Sequence, residues 1–128
     1  MKKILYLGIT LFFTFSTFSQ EWQILDDNDE FKLFIRNHTK ESAWVKWEYK
    51  KLKTKKYILR EEQKIKKSLI LFKFDCDKKM IGTMAEIDYD EIGEVVNSKD
   101  KGDYANMTNV IPESIGELIT IKFCQLNN

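Results

Sequence analysis

"VIPESIGELITIKFC", Val110 to Cys124, holds the single proline of the chain and the second of its two cysteines. The fold turns on whether this stretch is helix or strand. Read as a helix, it sets Pro112 in the first turn and Glu113 and Glu117 near the positive end of the dipole. Ile111, Ile115, Leu118, Ile119 and Leu126 then form an apolar stripe. Read as a strand, Ile119, Ile121 and Phe123 alternate with Thr120, Lys122 and Cys124, and the β-branched content supports that reading. Gly116 inside a helix costs about 1 kcal/mol relative to alanine, which weakens the helical case without removing it. Local periodicity leaves both open.

Upstream of this stretch, alternation is far commoner than helical period. In "FKLFIR", Phe31, Leu33 and Ile35 fall on one face while Lys32, Phe34 and Arg36 fall on the other. "AWVKWEY" repeats the pattern, with Ala43, Val45, Trp47 and Tyr49 inward and Trp44, Lys46 and Glu48 outward. "LILFKFDC" sets Leu69, Leu71 and Lys73 against Ile70, Phe72 and Phe74. "MIGTMAEIDYDE" sets Ile81, Thr83, Ala85 and Ile87 against Gly82, Met84, Glu86 and Asp88. The short "CDKK" between these two reads as the turn of an antiparallel hairpin. "GEVVN" adds a short strand, and "NSKDKGD" reads as a polar turn. The result is a meandering antiparallel sheet. Residues Lys50 to Lys67 are harder to place; we read the end of one strand, a turn near Lys53 to Lys55, and the start of the next.

The chain has 128 residues, 43% of them hydrophobic, enough for one domain with a core. "MKKILYLGITLFFTFSTFSQ" has two lysines, an apolar run too short to span a bilayer, and small residues at Thr17 and Ser19. Residues 1–19 therefore read as a secretory signal and 20–128 as a single domain with no transmembrane segment. Localisation follows as exported: periplasm, outer surface or secreted. Without the signal, 19 basic side chains face 20 acidic ones, a formal charge of −1. The distribution is uneven, because Lys46 to Lys67 alone carries ten Lys/Arg against three Glu. Such a segment attracts anionic partners or simply keeps a hairpin solvated.

In an oxidising compartment the two cysteines, Cys76 and Cys124, have one intramolecular pairing, with two buried thiols or an intermolecular bridge as alternatives. The bridge closes a loop of about 49 residues, worth at most about 4 kcal/mol in loop-closure entropy. Chemistry is sparse. His38 is the sole histidine and sits in the polar "RNHTKES", read as a surface turn, so no nucleophile–base pair and no zinc site is assembled. "DDNDE" and "DYDEIGE" lack the ligand spacing of a calcium loop and read as solvated turns. No cofactor and no enzymatic activity are expected.

The chain resembles the surface-adhesin protein E-like domain family. The features that carry the resemblance are "EWQIL" with Trp22, "AWVKWEYK" with Trp47, "LFKFDC" with Cys76, "GEVVNS", and "VIPESIGELITIKFC" ending in Cys124. Glu113 stands where glycine is usual beside the Pro-Ser pair. The resemblance implies an α+β fold: an antiparallel meandering β-sheet of about six strands with a C-terminal α-helix packed on one face and tied by a disulfide. It tips the last segment to helix and implies attachment to an extracellular-matrix protein.

Two function classes follow. In the first, the domain binds a matrix protein or another anionic macromolecule through the basic hairpin, Lys50, Lys51, Lys53, Lys55 and Lys56 with Tyr57. In the second, it is a structural or accessory envelope protein whose sheet edge, or exposed Trp44 and Phe34, packs on another copy or a partner. A homodimer through an exposed strand is compatible with either. Nucleic acid is not expected as a partner, since the basic stretch lacks a helix or aromatic platform suited to readout.

Overall fold

The computed structural model describes residues 21–127; the signal read over 1–19 lies outside the described residues. Six strands follow one another along the chain: β1 (Gln23–Asp27), β2 (Phe31–Thr39), β3 (Ser42–Lys55), β4 (Gln63–Asp75), β5 (Met80–Tyr89) and β6 (Val95–Asp100). They lie side by side in that same order, every neighbouring pair antiparallel. A two-residue strand β7 (Thr108–Asn109) returns to pair with the start of β5, and the chain closes with helix α1 (Ile115–Leu126). The helix and the meander expected from the resemblance are both present.

Alternation decides which side of the sheet is buried. Leu33, Ile35, Ala43 and Val45 are fully buried on one side, and Phe74 and the helix residues Ile119 and Phe123 close the core with them. Phe74 and Phe123 stack with ring centroids 4.2 Å apart. Burial of such side chains stabilises a fold by roughly 1.5–3 kcal/mol each, so this layer supplies much of the driving force. The bond between Cys76 and Cys124, Cα atoms 5.9 Å apart, ties the end of β4 to the last turns of α1.

The helix starts later than the sequence reading placed it. Ser114 is its N-cap and accepts a hydrogen bond from the Glu117 N–H at 3.2 Å, so Pro112 stands outside the first turn rather than in it. Glu113 adopts φ 60°, a left-handed conformation that turns the chain into the cap. The buried stripe shifts accordingly to Ile119, Thr120 and Phe123, while Ile111 is 70% exposed and Ile115 and Leu118 are also accessible.

Two turns also differ from expectation. β3 continues through Lys55 and the chain reverses at Tyr57 to Arg60, where the Arg60 N–H donates to the Tyr57 carbonyl. Between Glu48 and Lys53, β3 spends four residues where β4 spends only Lys66, and this bulge twists the hairpin end away from the regular ladder. Further on, β6 runs through Asp100 and absorbs most of the "NSKDKGD" segment read as a turn.

Candidate functional site

The bulge in β3 carries the basic segment over the sheet and onto a buried carboxylate. Trp47, Ser68, Asp88 and Asn97 form one cross-strand row on β3 to β6, on the side where Trp47 meets the core. Asp88 in this row has no exposed surface. Its Oδ1 accepts from Ser68 Oγ at 2.5 Å and Lys55 Nζ at 3.1 Å. Its Oδ2 accepts from the Tyr57 hydroxyl at 2.6 Å and Asn97 Nδ2 at 3.2 Å. Lys55 also reaches Glu86 at 3.3 Å.

Four donors satisfy a carboxylate that burial alone would neutralise. Burial works against its charge, yet the bonds from Ser68, Tyr57 and Lys55 outweigh it and hold the Asp88 carboxyl below its ordinary value. Lys55 moves the other way: burial disfavours its charge, but the bond to Asp88 and the nearby negative charges raise its pKa. Burial and the bond to Asp88 likewise push the Tyr57 hydroxyl up. The cluster is a clasp that leaves no buried side-chain polar atom without a partner.

The six hairpin residues therefore divide. Lys55 and Tyr57 point inward and anchor the segment. Lys50 pairs with Asp27 at 2.6 Å, a bond that lowers the Asp27 pKa. Lys53 lies 5.3 Å from the Tyr49 ring centroid but stays exposed, as do Lys51 and Lys56. Arg60 donates to the Val96 carbonyl at 2.6 Å, fixing the turn against β6. The structure thus leaves Lys51, Lys53 and Lys56 as the exposed cations of the group without an ion pair among the described residues. Sequence reasoning missed Asp88 as the anchor, because in "DYDEIGE" it looks like one more solvated acid; its alternation with Ile87 was the available signal.

Among the described residues, no helix packs on the opposite side of the sheet, where Leu71 is nonetheless buried. Phe34, Lys46, Leu69 and Ile87 form one row there, and Arg36, Trp44, Leu71 and Ala85 the next. Trp22, ahead of β1, lies against this face with Arg36 Cζ 4.6 Å and Lys46 Nζ 4.5 Å from its ring centroid.

His38 is exposed within the last residues of β2, not in a turn, and makes an edge-to-face contact with Trp44. The acidic runs serve as turns: Asn28 Oδ1 accepts from the N–H groups of Glu30 and Phe31, and Asp90 Oδ1 from those of Ile92 and Glu94. No helix among the described residues is long and apolar enough to cross a membrane.

Against known families, a model described as surface-adhesin protein E matches residues 22–125. No curated protein and no solved structure matches the chain.

Proposed function

The chain belongs to the surface-adhesin protein E family, and from that premise we propose that it is an exported, non-enzymatic attachment domain. Its basic hairpin engages an anionic macromolecule, with an acidic surface of an extracellular-matrix protein as the partner class. One observation carries this reading: Lys51, Lys53 and Lys56 are exposed on a segment that Lys55 and Tyr57 pin to a buried carboxylate. Cations on a fixed strand meet a partner with less ordering cost than cations on a loose loop. They also steer acidic partners over a distance of about 8–10 Å at physiological salt.

The test is charge reversal. In surface plasmon resonance on immobilised matrix protein, the triple variant Lys51→Glu, Lys53→Glu, Lys56→Glu is expected to lose about tenfold or more in affinity, mostly through a slower on-rate. Wild-type binding should weaken steeply between low and high salt. Equal affinity of variant and wild type, with an unchanged circular dichroism spectrum, removes the hairpin from the binding surface.

A further inference from the structure

We infer that the open face of the sheet is a second attachment surface, separate from the hairpin, and that its ligand is a linear polysaccharide bearing regularly spaced carboxylates or sulfates. Three cations cross this face in a diagonal line. Arg36 on β2 lies opposite Trp44, Lys46 on β3 lies opposite Phe34, and Lys67 on β4 lies opposite Glu48. Each step thus moves one strand across and two residues along, a relation that sets neighbours about 7–8 Å apart.

Every cation in the line rests on an aromatic ring. Arg36 lies 4.6 Å from the Trp22 centroid, Lys46 lies 4.5 Å from Trp22 and 4.6 Å from Phe34, and Lys67 lies 4.5 Å from Tyr89. The rings hold the charged ends in place, so little freedom remains to be lost on binding. Lys46 shares its charge with Glu48 at 3.3 Å. Among the described residues, neither Arg36 nor Lys67 forms an ion pair. The line runs into a cleft of about 470 Å³ whose lining includes Lys32, Lys50 and Lys67 together with Glu48, Asp90 and Glu91.

The chemistry of the face selects the ligand class. A protein interface depletes charge from its centre, whereas here charge runs through the middle of the sheet. Single-stranded nucleic acid stacks its bases on bare rings, whereas Trp22, Phe34 and Tyr89 each carry a cation over the ring. A polymer with one anion per repeat meets a periodic line of cations, and the apolar Leu69 and Ile87 beside that line suit the C–H faces of sugar rings.

The experiment titrates the purified, disulfide-intact protein with heparin, alginate, neutral dextran, polyglutamate and a single-stranded oligonucleotide by calorimetry. Heparin and alginate are expected to bind and dextran not to. The pair Arg36→Glu, Lys67→Glu should weaken heparin binding about tenfold or more, while the hairpin variant Lys51→Glu, Lys53→Glu, Lys56→Glu costs less than about threefold. Should the reversed pair fail to fold, Arg36→Gln with Lys67→Gln removes the same charges and should move affinity in the same direction. The inference is overturned by heparin affinity that ignores the face variants, by an equal or larger loss in the hairpin variant, by polyglutamate or oligonucleotide binding as tightly as heparin, or by no heparin binding at all. Loss of matrix-protein binding in the hairpin variant bears on the hairpin alone, so the two readings fail separately.

Discussion

Asp88 concentrates more polar contact than any other side chain described, and its behaviour with pH follows from that. In the unfolded chain the carboxyl titrates near its ordinary value of 3.8, and folding lowers it. A depressed folded pKa means stability that is present above the unfolded value and lost as pH falls through the folded one. Acid denaturation monitored by tryptophan fluorescence should therefore steepen below about pH 4, and Asp88→Asn should flatten that limb. The same variant leaves Lys55 and Tyr57 facing an amide and should cost about 3 kcal/mol at neutral pH in urea unfolding. At Glu113 the opposite change is expected. Its φ of 60° is strained for any residue with a Cβ, and its N–H bond to Glu117 Oε1 does not need the Glu113 side chain. Glu113→Gly should raise the urea midpoint by an amount equivalent to about 0.5 kcal/mol, relief of strain exceeding the entropy glycine adds to the unfolded chain.

At the scale of elements, helix α1 is the part held from two directions, by Ile119 and Phe123 in the core and by the bond to Cys76. Opening that bond with Cys76→Ser and Cys124→Ser should lower stability by about 2–4 kcal/mol, measured by thermal melting, with the sheet signal persisting after the helix signal begins to fall. The strands were legible in the sequence because alternation is a local property: Leu33 and Ile35, then Ala43 and Val45, read inward from spacing alone and are fully buried. The helix was legible only in part. Its existence followed from a resemblance, and its buried stripe was displaced because Ser114, not Pro112, sets the start. The hairpin end escaped local reading for a different reason. A bulge of four residues against one is dictated by where Lys55 and Tyr57 must land, and Asp88 lies more than thirty residues away.

For the whole molecule, a sheet whose spatial order repeats its sequence order needs few distant encounters to assemble, and the contacts between consecutive strands dominate. One layer of helix covers one side, which leaves the other side with its ring-supported cations open. A net charge near zero conceals this arrangement, since acids gather in turns and on β5 while cations gather on the hairpin and the open face. The covalent tie also decides what proteolysis does to the molecule. The exposed turn around Gly102 and the acidic turn around Glu91 both lie within the span between Cys76 and Cys124. A protease that nicks either turn cuts the backbone without releasing a fragment: both pieces travel as one particle, keep α1 seated, and part company only in a reductant.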